Sequence, residues 1–280
     1  MPELPEVETV RRVLVESLVG LTITNIKIKY EPIIEDEPET FKKNVIGKVI
    51  KGLDRRGKYL IFNLSDGNII SHLRMEGKYF YLPKDSMDNK HIHVVYYFDN
   101  GYMLCYQDVR KFGRMVYKTD EELFTSRPLT EVGVDLFLNK QFDYRNIYDK
   151  IVSRSVAIKT TLLDQSIIAG LGNIYVDEVL FAAHVDPHRS STSITFEEVK
   201  AIVDASAKIL SKAIEYKGTT IRSYTSSLGV EGQYQQFLCV HTKKVCPICQ
   251  GEIKCDKING RSTYYCSSCE RWLTWEELLE

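Results

Sequence analysis

Near the start of the chain Val7, Val10, Leu14 and Leu18 recur at helical spacing, with acids in the first turn and Gly20 as a stop. The pattern predicts a helix that begins almost at the N-terminus. From Ile23 to Tyr117 the pattern changes to short β-branched and aromatic runs: 23–30, 57–64, 68–73, 78–82, 91–98, 102–106 and 114–118. Ser65-Asp66-Gly67 and Asp99-Asn100-Gly101 read as tight hairpin turns between neighbouring runs. Their sum is an antiparallel β-sandwich. Residues 126–142, with Arg127-Pro128 and Gly133, read as a linker, and beyond it helical periodicity takes over at Tyr144–Ser153, Lys159–Gln165, Ile174–Ala183 and Phe196–Tyr216. Gly170-Leu171-Gly172-Asn173 opens directly onto one of these helices; it is a ready phosphate site, or simply an interhelix turn.

Composition narrows the class. At 280 residues and 44% hydrophobic content the chain can bury at least one full core. No window approaches the roughly 18 apolar residues of a membrane helix, and charges at Glu3, Glu6, Glu8, Arg11, Arg12 and Glu16 exclude a signal-peptide core. A cytoplasmic protein is expected. The formal net charge of −1 argues mildly against a nucleic-acid partner, but charge is segregated along the chain. Lys51, Arg55, Arg56 and Lys58 face only Asp54 within 51–60, Arg110, Lys111, Arg114 and Lys118 face no acid within 110–118, and 31–39 holds five acids and no base. One basic face, or a set of solvated strand edges, would give this pattern.

Cys246-x2-Cys249 and Cys266-x2-Cys269, sixteen residues apart, form the most specific local signal. Four thiolates at this spacing can close a tetrahedral zinc site with no open position, which makes the expected single Zn²⁺ structural. Cys105 and Cys239 read as small core residues, while Cys255 is a rival ligand without a paired neighbour. Between the cysteine pairs Asn259-Gly260 reads as a hairpin turn and places Arg261 at its tip, as a probe for phosphate or a base edge or as a solvent-facing turn residue.

Pro2-Glu3-Leu4-Pro5-Glu6-Val7-Glu8-Thr9 resembles the start of the bacterial formamidopyrimidine-DNA glycosylases. So, in order, do Arg56-Gly57-Lys58-Tyr59, Ser71-His72-Leu73-Arg74-Met75, Asp108-Val109-Arg110-Lys111-Phe112-Gly113, Asp164-Gln165 with 170–175, Gly218-Thr219-Thr220-Ile221-Arg222 and the cysteine hairpin. The resemblance covers essentially the whole chain. It implies an α+β fold: an N-terminal antiparallel β-sandwich with a leading helix (1–130), a helical helix-two-turn-helix domain (131–237) and a zinc-ribbon β-hairpin (238–280). It also implies a bifunctional repair glycosylase that removes oxidised purines and cleaves the abasic site by β,δ-elimination. The partner would be double-stranded DNA carrying an oxidised base, with no membrane, no organic cofactor and a monomeric protein in the bacterial cytoplasm, held at the nucleoid by DNA.

Removal of Met1 would expose the secondary amine of Pro2, with an ordinary α-amino pKa of about 8. Such an amine can attack the sugar C1′ and form an iminium. The resemblance assigns this role to Pro2, the assisting acid to Glu3, and the phosphate beside the lesion to Lys58. Glu6 and His72 match further active-site or DNA-facing positions. Met75, Arg110 and Phe112 match the wedge that fills the hole left by a flipped base. Asn173 matches a phosphate-binding asparagine, and Thr219, Thr220 and Arg222 lie in the loop that covers the flipped base. Structural alternatives are helix punctuation for Pro2, dipole compensation at the same terminus for Glu3, a solvated strand lysine for Lys58, and core packing for His72, Met75 and Phe112.

Two places depart from the family pattern: Lys217 stands where a second glycine is usual, and Val240-His241-Thr242-Lys243 replaces a Val-Tyr-Gly-Arg run. The competing functions are an endonuclease VIII-type glycosylase for oxidised pyrimidines, whose terminus reads Pro-Glu-Gly-Pro-Glu, and a non-catalytic zinc-ribbon lesion binder, which would not need Pro2 and Glu3.

Overall fold

In the computed structural model, which describes residues 2–86, 89–138, 141–219 and 232–270, the leading helix α1 spans Leu4–Leu18. Pro5 sits in its first turn, where a missing N–H costs nothing, and Glu6 reaches back to accept the N–H of the cap residue Glu3 at 2.8 Å. Its apolar stripe Val7, Val10, Leu14 and Leu18 is fully buried in the core below it. The following strands are β1 (Ile23–Ile28), β2 (Ile50–Arg56), β3 (Tyr59–Leu64), β4 (Asn68–His72), β5 (Lys78–Pro83), β6 (Ile92–Phe98), β7 (Tyr102–Gln107) and β8 (Arg114–Lys118). They form two four-stranded antiparallel sheets, ordered β1-β6-β7-β5 and β2-β3-β4-β8. Residues from both sheets, including Ile26, Leu53, Leu60, Phe62, Val94, Tyr96 and Tyr106, share one apolar core. This is the sandwich that the alternating runs predict.

A short helix, α2 (Pro38–Val45), was not predicted. It starts at the end of the acidic stretch, only Phe41 and Val45 mark its buried face, and Glu37 caps it by accepting the N–H groups of Glu39 and Thr40.

Two compact units divide the chain: Met1–Glu131 with Ile214–Gln233, and Val132–Ala213 with Tyr234–Glu280. In the second, β9 (Val134–Asp135), α3 (Tyr144–Val152), α4 (Ile158–Leu162), β10 (Ile168–Ala169), α5 (Asn173–Ala182) and most of α6 (Phe196–Glu215) precede the hairpin β11 (Lys254–Ile258) and β12 (Arg261–Tyr265). The segment read as a linker carries β9, which pairs in parallel with β10 some thirty residues on. A two-residue pairing with so distant a partner leaves no local periodicity. Asn259 and Gly260 turn the hairpin with φ of 47° and 74°, as the Asn-Gly pair predicts. Among the described residues no helix is long and apolar enough to cross a membrane.

Candidate active site

Pro2, Glu3 and Glu6 are all buried at the head of α1. The two oxygens of Glu6 do different work. Oε2 accepts the Glu3 N–H, and Oε1 accepts the backbone N–H of Thr219 at 2.8 Å and its hydroxyl at 3.2 Å. Residues 213 apart in sequence are thereby joined within one unit. Gly218 makes room for this, because a Cβ there would stand 2.4 Å from Glu6 Oε1. At Gly232 a Cβ would likewise be driven into the Gly218 carbonyl, and Gln233 donates its N–H to the Tyr216 carbonyl at 2.8 Å. Residues 216–219 and 232–233 are thus held together against the Glu6 carboxylate. Thr220 and Arg222 lie outside the described residues.

Lys58 occupies the two-residue turn between β2 and β3 and is only 5% exposed. A buried cluster beneath that turn fixes it. Arg55 donates to the Gly57 carbonyl at 2.8 Å and to Glu8 at 3.2 Å, and Glu8 also accepts from Arg11 and Arg12 on its own helix. Burial works to raise the Glu8 carboxyl pKa, but hydrogen bonds from Arg11 and Arg12 and the nearby positive charges hold it below its ordinary 4.5. Sequence reasoning missed this cluster, since Glu8 reads only as a first-turn acid.

His72, across the sheet from Tyr59, packs its ring edgewise at 4.6 Å. Burial, reinforced by the charges of Arg74 and Lys58, pushes its pKa down to about 3. The ring is therefore neutral at pH 7, and because Nδ1 accepts the Arg74 N–H at 2.9 Å, the proton sits on Nε2. A neutral N–H donor beside a lysine suits an anionic oxygen.

Met75 is half-buried and Phe112 is 46% exposed, so neither is a core residue. Asp108 builds the loop that presents Phe112. Its buried carboxylate accepts the N–H groups of Arg110, Phe112 and Gly113 at 3.0, 2.9 and 2.8 Å. With the backbone polar groups turned inward, the side chains of Arg110 and Phe112 point out, and the guanidinium lies 4.7 Å above the ring centroid.

In the second unit Asn173 begins α5, and its amide donates to the Ser262 carbonyl at 2.9 Å, one residue past Arg261. The same carbonyl accepts from Lys159 at 2.8 Å, and Lys159 is completely buried against Asp177 at 2.8 Å. Asp177 in turn holds the His241 ring at 2.8 Å, while Glu178 accepts the N–H groups of Cys239, Val240 and His241. The departing run 240–243 is thus part of the attachment of the cysteine hairpin to α5. Arg261 itself is exposed at the tip.

The four Sγ atoms of Cys246, Cys249, Cys266 and Cys269 all lie within 4.8 Å of one another, with Cys246–Cys269 at 3.7 Å and Cys249–Cys266 at 3.5 Å. Thiolates at about 2.3 Å from one tetrahedral zinc would be about 3.8 Å apart, so the cluster fits that ion. Cys255 is exposed and outside the cluster, and Cys105 is buried in the sandwich.

Residues 1–115 match the family model of the formamidopyrimidine-DNA glycosylase N-terminal domain, and 132–225 match that of the formamidopyrimidine-DNA glycosylase H2TH domain. The formamidopyrimidine-DNA glycosylase of Oceanobacillus iheyensis is 44% identical over 96% of this chain and 98% of its own length. That of Streptococcus pneumoniae is 42% identical over 97% and 99%. Among solved structures, a Lactococcus lactis FPG variant in complex with a Fapy-dG-containing DNA matches with a TM-score of 0.91 and 38% identity, over 97% of this chain and all of that one. MutM in complex with carbocyclic 8-oxo-G-containing DNA matches with a TM-score of 0.90 and 38% identity, again over 97% and 100%. Neither the pyrimidine enzyme nor a non-catalytic binder is favoured by these matches. With both family models, full-length relatives and the fold in agreement, the chain belongs to the formamidopyrimidine-DNA glycosylase family.

Proposed function

We propose that this chain excises oxidised purines, formamidopyrimidines and 8-oxoguanine, from double-stranded DNA and then cleaves the abasic site. After removal of Met1 the Pro2 nitrogen attacks C1′ of the damaged nucleotide, the C1′–N9 bond breaks, and the base leaves with a proton. Glu3 supplies and collects protons as the sugar ring opens. The iminium acidifies the C2′ hydrogen, whose loss expels the 3′ phosphate, and a second elimination expels the 5′ phosphate. Lys58 and the neutral His72 hold phosphate oxygens, Glu6 aligns the Glu3 backbone with the loop at Thr219, and Thr220 and Arg222 act in that loop. Met75, Arg110 and Phe112 fill the stack, while Asn173 and Arg261 grip the backbone.

Cys246, Cys249, Cys266 and Cys269 hold one structural zinc that pins the hairpin carrying Arg261. The division of labour follows 1–130 for chemistry, 131–237 for the helix-two-turn-helix grip and 238–280 for the finger, in a monomer acting in the bacterial cytoplasm and needing no organic cofactor. The observation that carries this reading is the burial of Pro2 and Glu3 at a helix head whose Glu6 reaches both Glu3 and Thr219. Borohydride trapping on a duplex with 8-oxoguanine opposite cytosine tests it. A covalent adduct that is lost when the N-terminal amine is blocked is expected, because hydride fixes only the imine-level species that this nitrogen forms. No adduct from protein with confirmed loss of Met1 would overturn the nucleophile.

A further inference from the structure

Two loops pass from one sheet of the sandwich to the other. Residues 73–77 lead from β4 to β5, and 108–113 lead from β7 back to β8. Each is shaped by its own bonds. In the first, which carries Met75, the Gly77 N–H meets the Leu73 carbonyl at 3.0 Å and Arg74 takes a left-handed φ of 52°. In the second, which carries Arg110 and Phe112, the Asp108 carboxylate gathers three backbone N–H groups. The end of one side chain lies between them. Tyr106, on β7, is fully buried, and its ring leans on that of Tyr79, its partner on β5, with 5.1 Å between centroids.

Two glycines locate the Tyr106 hydroxyl. A Cβ on Gly77 would stand 2.3 Å from its oxygen, and a Cβ on Gly113 would stand 1.8 Å from the same oxygen. Neither glycine has a left-handed φ, so the backbone there would accept any residue, and glycine is required by space alone. The oxygen is thus held between the backbone two residues after Met75 and the backbone directly after Phe112. It also approaches Asp108 Oδ2 at 3.5 Å, which is long for an O–H···O bond, so the hydroxyl acts chiefly by the volume it fills. The ring it extends from is itself well supported: Tyr79 packs against Phe62 at 5.5 Å, and its hydroxyl is bonded to Ser71 at 2.7 Å. An interior packed this closely transmits a displacement instead of absorbing it.

We infer that Tyr106 is a positioning residue for base extrusion: its hydroxyl locks the Met75 loop to the Arg110–Phe112 loop, so that the three side chains enter the base stack as one body. The inference rests on the reading of Met75, Arg110 and Phe112 as the wedge and adds the buried group that sets their spacing. A hole in the stack is filled well only by side chains held at a fixed separation, since a gap of about 0.5–1 Å forfeits roughly a quarter to a half of each contact's attraction. Loops free to move independently would each lose conformational freedom on insertion, whereas loops locked beforehand have already lost it. Tyr106 is 0% exposed, so it acts through the loops and not on the base.

The test compares the full chain with Tyr106→Phe, Gly113→Ala and the double variant in three measurements. Fluorescence of 2-aminopurine beside an 8-oxoguanine paired with cytosine follows extrusion, borohydride trapping on a single-stranded abasic oligonucleotide follows chemistry without extrusion, and thermal melting follows the fold. Tyr106→Phe should slow extrusion on the order of tenfold, short of the roughly hundredfold that a misplacement of about 1 Å costs, with trapping and melting unchanged. Gly113→Ala should also slow extrusion. The double variant should extrude faster than Gly113→Ala alone, because the atom nearest the new methyl is then a ring carbon at 2.7 Å in place of the oxygen at 1.8 Å. Tyr106→Phe at the wild-type rate overturns the inference, as do additive effects of the two substitutions. A purely structural role, which lowers melting and slows trapping and extrusion alike, overturns it too. Phe112→Ala reports separately on the wedge: extrusion unchanged in that variant removes the wedge reading and the inference with it, whereas extrusion slowed there but not in Tyr106→Phe removes the inference alone.

Discussion

Lys217 and Thr242 stand where the family pattern has glycine, and both keep glycine's backbone, with φ of 62° and 63°. Lys217 precedes Gly218 at the Glu6 contact, and its own N–H is held by the Ile214 carbonyl at 3.0 Å. A side chain in the left-handed region costs roughly 1–2 kcal/mol, and glycine returns part of that as lost chain entropy. Lys217→Gly should therefore stabilise the protein by about 0.5–1 kcal/mol, seen as a higher urea midpoint. A lower midpoint would show that the lysine side chain makes a compensating contact. Lys217 is a case in which the departure was legible in the sequence while its consequence needed the dihedral angle.

At the scale of elements, the attachment of α1 to β2 runs through Glu8 and Arg55, both almost completely buried. Truncation of one partner in such a cluster leaves an uncompensated charge, so Glu8→Ala should cost about 3–5 kcal/mol and loosen the turn that holds Lys58. The folded-state carboxyl pKa lies below 4.5, so the stabilisation is complete above that pH and is lost as pH falls from 4.5 through the folded value. Urea unfolding at pH 7 and pH 3 checks both parts: the gap between wild type and variant should be wide at the first and shrink at the second. A gap that persists at pH 3 would assign the cost to packing. The strands, α1 and the hairpin turns were readable because each has a local period or a turn dipeptide. Neither α2 nor β9 was, since one hides two apolar residues among polar and charged ones and the other exists only through β10.

For the molecule as a whole, the cysteine cluster, Lys159 and α5 form one attachment within the second unit, so the hairpin's order should depend on the metal. Chelation should release one zinc per chain and weaken binding to lesion-bearing duplex, and Cys246→Ser should do the same; metal analysis and a binding isotherm measure the two effects. Intact binding after complete zinc loss would show that Asp177, Glu178 and Lys159 hold the hairpin unaided.

The sequence by itself determined what single residues and short spacings carry: a proline and a glutamate directly behind Met1, four thiols spaced for one metal, an Asn-Gly turn before Arg261, and the periods of helix and strand. These are local properties, set by side-chain type and by the 3.6- and two-residue repeats of the backbone. The tertiary structure decided which distant residues act on one another. Glu6 meets Thr219, Arg55 carries Glu8 to the Lys58 turn, Asp108 turns Phe112 outward, and Lys159 supports the residue beside Arg261. Each such meeting closes a loop of chain and is favourable only because burial of the surrounding apolar groups offsets the closure entropy. No window of sequence contains that balance.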